Sequence, residues 1–149
     1  MRKSIVSTMA AMAFIVASGV NAEPAKLSTS VLAVGQMWSI RSASPTTAKV
    51  IIGRIEPWNG KVAVHVSIID IPIPQGLPGA GGATRIDHIP FDKAAIEASV
   101  DHLISNDVPP SSGFVSGYEQ WKSAKGGIFT ISIEKAIEMM LQTVNRGRG

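Results

Sequence analysis

Val50–Ile71 reads VIIGRIEPWNGKVAVHVSIIDI, two runs rich in β-branched residues separated by Asn59-Gly60. Asn-Gly as a two-residue connection favours a type I′ turn, because both positions take positive φ and the turn then matches strand twist. The stretch therefore predicts a β-hairpin over 50–58 and 61–71. With Trp58 opposite Lys61, strict alternation pairs Pro57 with Val62, Ile55 with Val64, Gly53 with Val66 and Ile51 with Ile68 on one face. The other face pairs Glu56 with Ala63, Arg54 with His65 and Ile52 with Ser67. The first face is apolar almost throughout and is assigned to the core; from the second, mixed face Arg54 and His65 project together.

The flanking segments take their places around this ribbon. Gln36–Ser42 alternates as a first strand, and Ser44–Thr47 is turn material. Pro72 and Pro74 close the long strand, Gln75–Thr84 is a glycine-rich loop, and Arg85–Ile89 reads as a short strand. Asp92 reads as the N-cap of a helix from Lys93 to about Ser105, with Phe91 and Ile96 at the spacing of a hydrophobic staple. Val115–Lys125 reads as a helix stopped by Gly126-Gly127, Ile128–Ile131 as a returning strand, and Ser132 as the cap of a last helix. That helix carries Ile133, Ile137, Met140, Leu141 and Val144 as one core-facing stripe. Strands first and helices second give an α+β fold: a curved antiparallel sheet with a central β-hairpin, covered by two or three helices.

Met1–Ala22 has a different character. Arg2 and Lys3 precede a short apolar run from Ile5 to Ala17, and Val20-Asn21-Ala22 presents small or modest side chains at a cleavage site. This is the tripartite pattern of a secretory signal peptide, too short to stay as a bilayer anchor. The chain is thus expected to be periplasmic or secreted, with a single domain over 23–145, a basic tail at 146–149 and no membrane anchor after cleavage. The whole chain has 14 Lys and Arg against 11 Asp and Glu; loss of Arg2 and Lys3 leaves 12 against 11. Arg146 and Arg148 lie in the tail, so the body is nearly neutral, and nucleic-acid binding lacks its electrostatic footprint.

The absence of cysteine excludes disulfide scaffolds, thiol nucleophiles and thiolate metal sites. Gly79-Ala80-Gly81-Gly82 lacks the Lys-Ser/Thr of a phosphate-binding loop, Ser116-Gly117 lacks the first glycine of a nucleophile elbow, and the carboxylates are dispersed. No cofactor is implied. His65, His88 and His102 show no i, i+4 metal pairing, so no metal site is assigned. Tyr118 and Trp121, three apart on a helix, share a face suited to docking that helix on the sheet.

The candidate binding residues are Arg54, His65, His88, Tyr118 and Trp121, with the glycine-rich loop beside them. The leading expectation is an exported binding or protein-interaction module of the cell envelope whose partner is an envelope protein or a small ligand. The alternative is a small envelope hydrolase using His65 or His88 with a nearby aspartate.

Four elements carry a resemblance: Gly35-Gln36-x-Trp38, His88-Ile89-Pro90-Phe91, Gly117-Tyr118-x-x-Trp121 and Gly126-Gly127-Ile128-Phe129-Thr130-Ile131. In these the chain resembles a group of small exported bacterial proteins with no assigned activity, from which it departs at Ile40, where an aromatic residue is expected. The resemblance implies a single domain and no particular reaction.

Overall fold

The computed structural model describes residues 31–147; the leader reading of 1–22 lies outside them. Five strands form one open, curved antiparallel sheet in the order β4-β3-β2-β1-β5. They are β1 (Met37–Ile40), β2 (Lys49–Trp58), β3 (Lys61–Pro72), β4 (Ala83–Asp92) and β5 (Val100–Ser105). Three helices complete the fold: α1 (Lys93–Ser99), α2 (Phe114–Ser123) and α3 (Ile133–Arg146). The α+β architecture with a central hairpin is the one expected from sequence. Among the described residues no helix is long and apolar enough to cross a membrane.

The β2–β3 turn has φ 44° at Asn59 and 77° at Gly60, as a type I′ turn requires. Pairing follows the expected register from Trp58↔Lys61 to Arg54↔His65. Beyond that point the expectation fails. Gly53 is extra, and the ladder resumes with Ile52↔Val66, Ile51↔Ser67 and Val50↔Ile68. Strict alternation would have pointed Ile51 at the core and Ile52 away from it. The bulge at Gly53 instead turns Val50 and Ile52 into the core, both fully buried. Glycine fits there because a Cβ at position 53 would lie 2.4 Å from the Phe114 ring.

Two further irregularities do the same between β3 and β4. Ser67 alone spans the interval in which β4 places Asp87 and His88, so Ile89 opposes Val66 and Ile86 opposes Ile68. Asp70, at φ 53°, lies in a second irregular stretch that lets Ile71 turn inward beside Thr84. Each interruption keeps a β-branched side chain on the core face where plain alternation would place a polar one.

The core lies on one face of the sheet. Val64, Val66, Ile68, Ile89 and Phe91 meet Ile96 of α1 and Ile133 and Ala136 of α3. Both expected caps form: Asp92 accepts from Ala94 N at 3.4 Å and Ser132 from Lys135 N at 3.2 Å. The opposite face is covered over β3 and β4 by α2.

Three expectations are corrected. The helix after Asp92 does not reach Ser105; it stops at Ser99, and Val100–Ser105 is the edge strand β5, so His102 is on a strand. Ser99 Oγ donates to Ala95 O at 2.6 Å and accepts from Ile133 N at 3.1 Å, while its carbonyl accepts from Arg41 N at 2.7 Å. These bonds divert the chain onto the open side of β1, where Val100 pairs with Ile40 and Leu103 with Trp38. The returning strand at Ile128–Ile131 is a single parallel bridge, Phe91↔Phe129, flanked by hydrogen bonds between Asp92 N and Phe129 O and between Phe129 N and Pro90 O. The stripe of the last helix faces the core only along its first part: Ile133 is buried and Ile137 and Met140 pack against the core, whereas Val144 is 47 % exposed.

Gly53→Val should push its new side chain into Phe114 and lower unfolding free energy by about 2 kcal/mol, a usual cost of overpacking. Urea denaturation checks this. In a Phe114→Ala background the same substitution should cost less than half as much; an equal cost in both backgrounds would remove Phe114 as the reason for the bulge.

Candidate functional site

The mixed face of the hairpin carries Arg54, Glu56, His65 and Ser67, and the adjacent bulge of β4 sets His88 beside them. α2 lies over this face because Ser111, just before it, is tied down. Ser67 Oγ donates to Asp87 O at 2.7 Å and accepts from Ser111 N at 3.0 Å, and Ser111 Oγ reaches the same carbonyl at 3.2 Å. Phe114, Tyr118 and Trp121 then recur at helical spacing and point at the sheet. Gly117 lets the helix approach; a Cβ there would lie 2.6 Å from His88 Cβ.

All five expected binding residues meet in this layer. His65 is 0 % exposed. Its Nδ1 is 2.9 Å from His88 Nε2, and the two rings stack with centroids 5.2 Å apart. The Trp121 and Tyr118 rings stand edge-on to His65 at 4.6 and 5.1 Å, and Phe114 stands edge-on to His88 at 5.4 Å. Arg54 is exposed, and its guanidinium lies 4.6 Å above the Tyr118 ring. The glycine-rich loop does not join them. It lies at the other end of β3, beside Leu141, Gln142 and Asn145 of α3.

A sixth residue organises the group. Glu56 Oε2 is 3.1 Å from Arg54 Nε, and the Tyr118 hydroxyl donates to both carboxylate oxygens at 3.1 Å. Glu56 Oε1 is also 3.1 Å from His65 Nε2, although the ring N–H axis is not aimed squarely enough for a regular hydrogen bond. Two residues from Arg54 on the same strand face, and diagonal to His65, Glu56 was marked by its i, i+2 position. Phe114 carried no such signal, since its place depends on the bulge at Gly53.

The electrostatics follow from burial. Desolvation pushes His65 below its ordinary value, against the pull of Glu56. Desolvation, with the neighbouring His65, pushes His88 down to about 4. Burial alone would raise Glu56, but bonds from Arg54 and Tyr118 outweigh it and hold the carboxylate below its usual range. The result is an ionised carboxylate backed by two neutral imidazoles.

Two arrangements that invite a catalytic reading do not support one. Ser39, His102 and Asp101 cluster on the β1–β5 edge, but Ser39 Oγ at 2.7 Å and Asp101 Oδ2 at 3.2 Å both address His102 Nδ1. A Ser-His-Asp relay uses opposite ring nitrogens. Asp87 and Asp92 are paired with Arg85 and Lys61, so the carboxylate beside His65 is Glu56 and not an aspartate. No cluster of three or more metal-ligating side chains occurs among the described residues.

Beside His88 an open groove of about 470 Å³ runs over the β4 edge, lined by Ile86, Ile89, Trp121, Phe129, Met139 and Met140 among others. It separates the α2 side of the sheet from the α3 side. The elements His88–Phe91, Gly117–Trp121 and Gly126–Ile131 all border it or the histidine pair, while Gln36 and Trp38 pair with each other at 3.1 Å elsewhere in the fold.

The buried imidazoles make stability depend on pH. In the unfolded chain His88 takes a proton near 6.5, whereas in the fold it resists protonation until about 4. Its contribution is therefore complete above about pH 6.5 and lost progressively toward pH 4, and the depressed His65 acts in the same direction. Thermal melts should show the midpoint falling between pH 6.5 and 5, above the range of most carboxylates, with a shallower fall in His88→Gln. A midpoint constant over that interval would contradict the neutral pair.

The chain matches no protein-family model, no curated protein and no solved structure.

Proposed function

We propose that the chain is an exported binding module of the cell envelope, whose groove beside His88 takes a small ligand with an apolar body. The observation that carries the reading is the groove itself. Its volume of about 470 Å³ falls within the range of small-molecule sites, and its lining is chiefly apolar with one imidazole among it. Ala136, Met139, Met140 and Thr143 line it from α3 at i, i+3, i+4 and i+7, one continuous helix face. Phe129 and Met139 leave 39 % and 48 % of their surface open there. Unbranched methionines adapt their shape to varied ligands.

The remaining members of the candidate set support the groove without lining it. His65 and Tyr118 pack against His88 and Trp121 from the other side, and Glu56 and Arg54 hold His65 and Tyr118 in turn. A hydrolase is the weaker reading. His65 has no exposed surface with which to touch a substrate, and among the described residues no serine or threonine hydroxyl bonds to either histidine of the pair. Export is argued from Met1–Ala22 and its charged, apolar and small-residue segments.

N-phenyl-1-naphthylamine, an uncharged apolar fluorophore, should bind saturably with one site per chain and quench the emission of Trp121. Met139→Asp, at a half-exposed position, should weaken that binding at least tenfold while leaving the melting temperature within a few degrees. Non-saturable uptake, or saturable uptake that Met139→Asp does not alter, would remove the groove as the binding site.

A further inference from the structure

We infer that His88 Nδ1 presents a lone pair to the groove, so that the ligand is an uncharged amphiphile whose head donates a hydrogen bond, of the class of a long-chain alcohol. The inference rests on the groove reading and adds to it the chemistry of the ligand's head.

The proton count of the buried chain leads to it. One proton lies between His65 Nδ1 and His88 Nε2, which are 2.9 Å apart. Which ring supplies it is decided at the other end of His65. There Glu56 Oε1 stands 3.1 Å from Nε2, in a carboxylate that Arg54 and Tyr118 hold ionised. A bare Nε2 would set a lone pair against an anionic oxygen at that distance inside the protein, where repulsion is poorly screened. Nε2 therefore carries the hydrogen, even though the contact is bent. A neutral His65 protonated at Nε2 accepts at Nδ1, so His88 Nε2 is the donor. A neutral His88 protonated at Nε2 has its lone pair on Nδ1.

That atom has no hydrogen-bond partner among the described residues, and its ring lines the groove. Gly117 of α2 packs closely against the Cβ side of this ring; a Cβ there would stand 2.6 Å from His88 Cβ and 3.5 Å from Nδ1. No lysine or arginine lines the groove. A carboxylate head would thus meet a lone pair and no counter-charge, and a hydrocarbon or ether would leave Nδ1 without a partner. A hydroxyl satisfies it.

The test is displacement of N-phenyl-1-naphthylamine from the full chain at pH 7 by 1-octanol, methyl octyl ether and octanoate. Octanol should bind about fivefold to tenfold more tightly than the ether, as one buried hydrogen bond warrants, and octanoate should bind more weakly than octanol. His88→Phe should abolish the difference between alcohol and ether. Should that variant fold poorly, the 15N resonance of His88 Nδ1 in the unsubstituted chain decides instead: octanol should move it and the ether should not. Saturable displacement by all three with no preference, or an unmoved Nδ1 resonance, overturns the donor inference while the groove stands. Failure of every probe to bind saturably overturns the groove reading, and this inference with it.

Discussion

The interior strand β3 buries polar side chains on the face turned away from the core, and much of the molecule follows from that. His65 and Ser67 are both fully enclosed. An imidazole or hydroxyl removed from water without partners costs on the order of 1 to 3 kcal/mol, so the fold must bring partners to them. Ser111 comes to Ser67, Glu56 and His88 come to His65, and α2 seals the layer with aromatic rings that exclude water. The helix is held by what it covers. Its own sequence is weakly amphipathic, and only Phe114 and Tyr118 are buried.

This second layer constrains the first. To keep β-branched residues inward and the polar set outward, the sheet must break strict alternation, and it does so at Gly53, at Asp87–His88 and at Asp70. The break in β4 has two results at once: Ile86 returns to the core side, and His88 comes within hydrogen-bonding distance of His65. The edge that β4 leaves is closed at Pro90–Asp92 by Phe129 and stays open at Ile86–Ile89, where α3 diverges. The groove is the space between a helix needed for the core at its start and a sheet edge covered only in part.

Much of this was readable from the chain. Asn59-Gly60 determined the turn, and pairing outward from it gave Arg54 opposite His65. Asp92 and Ser132 announced their helices, and Tyr118 and Trp121 announced a docked face. The bulges were less visible, although the parity change from Val50 and Ile52 to Ile55 across Gly53 is a signal that the glycine resets the register. Val100–Ser105 misled because Ile96, Val100, Leu103 and Ile104 satisfy a helical period. The vacant side of β1 and the hydrogen bonds of Ser99 overrode that period, and both are tertiary facts. The site residues were legible by type and partly by position, but their burial was not: the mixed face was read as open surface, and α2 covers it. The groove belongs to β4, α2, α3 and the Phe129 segment together, so no single stretch could announce it.

The chain of hydrogens from Glu56 through His65 to His88 is the claim on which site, pH response and ligand chemistry all depend. The 15N chemical shifts of the four ring nitrogens of His65 and His88 at pH 7 test it directly, because tautomers are read there and not from heavy-atom positions. Both Nε2 atoms should be protonated and both Nδ1 atoms bare, each ring in a single tautomer. A protonated Nδ1 on His65, a cationic ring, or tautomers averaged as in a solvent-exposed histidine would contradict it.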